Sequence, residues 1–206
     1  MTASSTSGSL SRAQLLRRSA KGGAALLVAG GALSQFVELA AADPLPVVDL
    51  AYARLLVGAE LLASDFYSQA IAASTTGGTV TKYLKRAYLN EQEHYQSVAG
   101  ILSGSGNTPA VSGDITFSYP VGTFASESSI LELAQQLETS ILGAYLGALG
   151  GMQTSSLKTG LAQVAACEAQ HVSYFTTSAG GKAFNLSFPP ALTIDQASDA
   201  LDAYTA

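Results

Sequence analysis

The chain has 206 residues, of which 48% are hydrophobic and 12% charged, with net charge −5. That is enough chain for one well-buried domain, and the acidic balance offers no basic surface for nucleic acid. A single cysteine, Cys167, excludes an internal disulfide and any iron–sulfur or rubredoxin-like centre, which needs several thiolates.

The first 42 residues read as a secretory signal. Arg17-Arg18 and Lys21 precede an apolar run from Gly22 to about Leu33, and small residues Ala40-Ala41-Ala42 suit cleavage after Ala42. The arginine pair and the Gly-rich run resemble a twin-arginine signal, although Leu16 precedes the pair and no Phe-Leu follows it. A transmembrane anchor is the alternative, but the run is short and Gly-rich for a span of about 30 Å. The expected organisation is a signal over 1–42 and one domain over 43–206, exported to the periplasm, envelope or medium. Whether the signal is cleaved or kept as an anchor stays open.

Pro44 and Pro46 make an extended lead-in. A first helix is expected over 47–73, with Leu56, Val57, Glu60, Tyr67 and Ile71 on its apolar stripe. After the turn Ser74 to Gly78, a second helix is expected over 80–102. Its stripe of Leu84, Ala87, Tyr88, Glu91, His94, Tyr95, Val98 and Ile101 follows helical spacing and places Glu93, Asn90, Gln96 and Ser97 on the wet side. Residues 103–126 are rich in Gly, Ser, Pro and Thr, with a brief alternating run at 115–119. A connection of that length inside a small domain points to a crossover from one end of a bundle to the other.

A third helix is expected over 127–149, with Ile130, Ala134, Leu137, Glu138, Ile141, Tyr145 and Leu149 inward, Glu132 outward, and Gly150-Gly151 as its stop. A fourth is expected over 155–177, with Leu157, Leu161, Val164, Glu168, His171 and Phe175 inward. A short acidic helix starts near Ile194, with Thr193 as N-cap.

The two histidines of the chain each follow a glutamate by three residues, in Glu91-x-x-His94 and Glu168-x-x-His171. On a helix those positions share a face, so one turn offers a carboxylate and an imidazole to one point. A lone pair of this kind is usually a solvated one. Here both lie on apolar stripes, and the pattern repeats: Glu60 precedes Glu91 by 31 residues, Glu138 precedes Glu168 by 30, and a tyrosine follows seven residues after Glu60 and Glu138. Four inward carboxylates cannot all stay ionised in a dry core without compensation. Two divalent cations balance them with neutral imidazoles, giving a candidate dinuclear site of Glu60, Glu91, His94, Glu138, Glu168 and His171. Oxygen-rich ligation suits iron or manganese, while affinity order alone favours copper or zinc. Cys167 reads as a small buried side chain, and Asp65 as rotated off the face of Glu60.

These residues resemble those of the ferritin-like di-metal carboxylate proteins, and in type the exported ferritin-like domains related to desiccation-associated proteins. The segments Tyr119-Pro120-Val121-Gly122-Thr123-Phe124 and Leu137-Glu138 to Ala144-Tyr145-Leu146-Gly147 are similar to that group as well. The fold implied is all-α: a left-handed four-helix bundle with a long crossover between helices 2 and 3 and a short C-terminal helix. The resemblance implies bridging by Glu91 and Glu168, with Glu60 and His94 completing one metal and Glu138 and His171 the other. It implies that Tyr67 and Tyr145 hydrogen-bond behind the ligand carboxylates; plain core packing is the equal alternative. It implies two metal ions, iron first and manganese second, and dioxygen or peroxide as reactant in a ferroxidase- or oxidase-like or manganese catalase-like reaction. A non-catalytic stress-related binding or structural protein is the alternative. Haem is not expected, since the one methionine after Met1, Met152, falls in a turn; nor is a membrane partner once the signal is gone. Homo-oligomer formation is left open.

Overall fold

The computed structural model describes residues 44–183 and 186–206, so the signal expected over 1–42 lies outside the described residues. Five helices follow in chain order: α1 Val47–Ala73, α2 Gly78–Gly104, α3 Glu127–Gly151, α4 Ser155–Ser178 and α5 Ile194–Asp202. Pro46 precedes α1 in an extended conformation. At the other end Ser74 turns left-handed at φ 57° and donates its N–H to Ile71. A capping box between Ser126 and Ser129 opens α3, and one between Thr193 and Gln196 opens α5. No strand forms among the described residues.

The helices match the expected ones to within two residues at their ends, with one informative difference. Gly150-Gly151 does not stop α3 ahead of itself; the helix runs through both, and Met152 is its C-cap. A Cβ on Gly151 would lie 2.3 Å from the Tyr52 hydroxyl, so this glycine serves a close helix–helix approach rather than a turn.

The helix directions follow from contacts at the two ends of the bundle. Asp49, at the start of α1, accepts from the N–H groups of Gln153 and Thr154 just after α3. Glu127, at the start of α3, accepts from the N–H of Gly77, just after α1. Thus α1 and α3 are antiparallel, and the chain must travel the length of the bundle, about 40 Å for a helix of this size, between α2 and α3. Residues 105–126 do so along α1. Arg54 Nη2 donates to Asn107 at 3.0 Å, Tyr119 to Asp65 at 2.9 Å and Thr75 to the Phe124 carbonyl at 3.2 Å. The alternating run at 115–119 makes a single antiparallel bridge, Phe117 with Thr205, to the C-terminus.

The C-terminal segment packs on α1 and α3 through α5, with Ala197 and Leu201 buried. Leu192 lies directly on α3: its N–H donates to the Gly143 carbonyl at 2.9 Å, and a Cβ on Gly147 would lie 1.8 Å from its carbonyl oxygen. Inside the bundle Leu56, Leu62, Leu84, Ile101, Ile130, Ile141, Leu157 and Phe175 are fully buried. Such side chains contribute about 1.5–3 kcal/mol each. That apolar filling surrounds the middle of the bundle and allows an unfavourable polar cluster there. No described helix is long and apolar enough to cross a membrane.

Candidate metal centre

The stripes of the four long helices carry six polar side chains into the middle of the bundle. Glu60, Glu91, Glu138 and Glu168 are fully buried, His171 is 2% exposed and His94 is 9% exposed. Glu93 and Glu132 face solvent, as their helical phase requires.

Each histidine presents Nδ1 inward. His94 Nδ1 lies 2.7 Å from Glu168 Oε1, 3.2 Å from Glu91 Oε2 and 3.8 Å from Glu60 Oε2. His171 Nδ1 lies 3.0 Å from Glu91 Oε1, 3.2 Å from Glu168 Oε2 and 3.4 Å from Glu138 Oε1. Glu91 and Glu168 therefore send one oxygen to each histidine. Two four-residue sets result, Glu60, Glu91, His94, Glu168 and Glu91, Glu138, Glu168, His171, and within each the donor atoms lie within 4.8 Å of one another.

These residues fit metal ions. Ligand atoms about 2.0–2.2 Å from one ion lie up to about 4.4 Å apart, so each set needs to contract by only a few tenths of an ångström. The pattern of satisfied oxygens agrees. Tyr145 donates its hydroxyl to Glu60 Oε1, and Tyr67 donates to Glu138 Oε1. The other oxygen of Glu60 and of Glu138 is buried without a hydrogen-bond partner, and the buried oxygens of Glu168 and Glu91 Oε1 have only the histidine Nδ1 atoms beside them. Buried orphans on this scale are costly and demand a proton or a cation.

In the metal-free cluster protons fill that role. Burial, then repulsion from Glu91 and Glu168, raises the Glu60 carboxyl well above its ordinary value. Burial, then repulsion from the same two carboxylates, does so for Glu138. Burial disfavours a charged imidazole at His94 and His171, but hydrogen bonds to Cys167 and the carboxylates outweigh it and raise both. Glu168 is also opposed by burial, yet hydrogen bonds from both histidines bring it down to about 2. Burial, then the carboxylate that each faces, raises Tyr67 and Tyr145 well above the ordinary tyrosine value, so both remain donors.

Sequence reading missed two residues at the edge of this cluster. Asn90 was expected on the wet side, but it is half-buried, with Nδ2 3.1 Å from His171 Nε2. Cys167 was expected to be a plain buried side chain. It is half-buried too, 3.4 Å from Asn90 Nδ2 and 3.8 Å from His171 Nε2. A signal was present: Asn90 and Cys167 each stand four residues before a histidine and so share its helix face. Asp65 is off the site, as expected, bonded to Tyr119 and Gln69.

The sequence model of a family described as ferritin-like domain matches residues 48–181, which takes in the four long helices and all six clustered side chains. No match to a curated protein is found.

Proposed function

The chain belongs to the ferritin-like domain family, and from that footing we propose that its cluster binds two divalent ions, iron first and manganese second, and reacts with dioxygen or peroxide. The observation that carries this reading is the sharing of Glu91 and Glu168 between the two donor sets. In the proposed assignment Glu91 and Glu168 would serve both ions, Glu60 and His94 would hold one, and Glu138 and His171 the other. Four carboxylates then face two dications with neutral imidazoles, which removes the burial problem without protons.

Redox-active ions held by these six side chains would supply the electrons for reduction of dioxygen or peroxide. The protein's part is positional. Tyr145 and Tyr67 hold one oxygen of Glu60 and of Glu138 and leave the other free to ligate. Each histidine supplies the Nδ1 lone pair. The surrounding Leu, Ile and Phe side chains keep bulk water away, so the donors act in a low-dielectric setting. These six side chains would hold the ions, and a small oxygen species would be the further ligand the proposed reaction needs.

The test is aerobic addition of ferrous iron to purified protein, followed optically beside buffer alone, with peroxide disproportionation measured after manganese loading. Oxidation above the buffer rate that is lost in Glu91→Gln supports the reading. Binding of two ions with neither reaction would leave a non-catalytic metal protein and sink the oxidase reading. Export is proposed on the sequence of residues 1–42 alone, and a mature N-terminus at Asp43 would support it.

A further inference from the structure

Asn90 and Cys167 occupy equivalent places in the internal repeat, each directly before a clustered glutamate and four residues before a histidine. They meet on the outer side of the cluster, between α2 and α4, with Asn90 Nδ2 3.4 Å from Cys167 Sγ. Both lie against Nε2 of His171, the ring atom turned away from the carboxylates, at 3.1 Å and 3.8 Å. An imidazole that offers its Nδ1 lone pair inward carries its proton on Nε2, and at a half-buried site that proton needs an acceptor. A half-turn of the Asn90 amide brings Oδ1 to the place of Nδ2 with almost no change of shape. A thiol is a far weaker acceptor than an amide oxygen.

We propose that Asn90 is a positioning residue, its amide oxygen accepting the Nε2–H of His171 and so fixing that ring's tautomer and angle, with Cys167 closing the other side. The two metal positions are therefore unequal, although the six clustered residues are nearly symmetric. The half built on His171 is held by an amide, while the equivalent place in the repeat offers only a thiol. The tighter position is the one completed by Glu138 and His171. This inference rests on the proposed metal binding.

The test is titration of metal-free protein with cobalt(II), followed by its visible absorption, for the wild type, Asn90→Leu and Asn90→Asp. The wild type should bind two ions in two resolved steps. Asn90→Leu should weaken one step by about 10–100-fold and spare the other, as loss of an outer partner of a ligating histidine does. Asn90→Asp, whose carboxylate also accepts from Nε2–H, should restore it. The melting temperature of the metal-free protein should change little across the three, which separates positioning from folding. Two unchanged steps in Asn90→Leu, or equal weakening of both, would overturn the proposal while leaving metal binding intact. A wild type that binds no cobalt would overturn the metal reading, and this inference with it.

Discussion

Tyr145 of α3 donates its hydroxyl to Glu60 of α1, across the bundle rather than along its own helix. The reverse bond, Tyr67 of α1 to Glu138 of α3, completes the exchange. Both tyrosines follow the glutamate of their own helix by seven residues, so the two bonds can form together only if α1 and α3 run antiparallel at this register. The exchange locks two helices that come from different hairpins, and it turns one oxygen of each carboxylate away from the centre.

Removing either hydroxyl should have two effects. Tyr145→Phe leaves a fully buried acceptor on Glu60 unpaired, which costs about 1–3 kcal/mol. Denaturant unfolding of the metal-free protein should show that loss, and Tyr67→Phe should show a similar one. Each variant should also weaken one metal position more than the other, because Tyr145 supports the set containing Glu60 and Tyr67 the set containing Glu138. Unchanged stability in both would mean that the hydroxyls only fill space.

Stability without metal should fall as pH rises. Glu60 and Glu138 have folded values raised above the ordinary 4.5, and His94 and His171 values raised above the ordinary 6.5. A raised value contributes stability that is complete below the unfolded value and is lost as pH rises towards the folded one. The loss thus begins near pH 4.5 and steepens above 6.5. Glu168, brought down to about 2, acts oppositely, and its contribution is lost only as pH falls from 4.5 towards 2. Thermal melts should show the metal-free protein less stable at pH 8 than at pH 5.5. Metal binding must expel the protons, so dye indicators in weak buffer should record proton release, and affinity should rise with pH. A metal-free protein more stable at pH 8 would contradict this charge assignment.

Gly147 should not tolerate a methyl group. The added Cβ would lie 1.8 Å from the Leu192 carbonyl oxygen, a backbone atom that cannot swing aside. Gly147→Ala should therefore lift the segment that leads into α5 and cost about 1–3 kcal/mol. Limited proteolysis after residue 186 should accelerate, while the Glu–His cluster, formed by the four long helices, should keep its cobalt absorption.

Much of this architecture was legible in the sequence because the signals were periodic. The stripe Leu84, Glu91, His94, Val98, Ile101 fixes one face of α2 unambiguously, and all five residues are buried. The matched Glu-to-Tyr and Glu-to-Glu spacings exposed the repeat. Less legible were features that depend on which helix lies opposite. Asn90 lies one turn before His94 at the edge of the stripe, and only the approach of α4 sets it against His171. The exchange of tyrosines was legible as two helix faces, but not as bonds crossing between α1 and α3. Gly150-Gly151 looked like a helix stop because glycine serves both turns and close packing, and only the Tyr52 ring against Gly151 decides between them.

Glu91 and Glu93 provide an internal control two residues apart. Glu91 is fully buried in both donor sets, and Glu93 faces solvent. Glu91→Gln should abolish tight cobalt binding at both positions, since it serves both, whereas Glu93→Gln should bind like the wild type. Equal behaviour of the two variants would remove Glu91 from the site.

The central claim, that this bundle holds two metal ions between Glu60, Glu91, His94, Glu138, Glu168 and His171, is tested most directly by elemental analysis of protein purified from its native source without chelators. The account predicts two ions of iron or manganese per chain, lost together in a Glu91→Gln, Glu168→Gln double variant. Native protein with no transition metal above the level of that variant would contradict it.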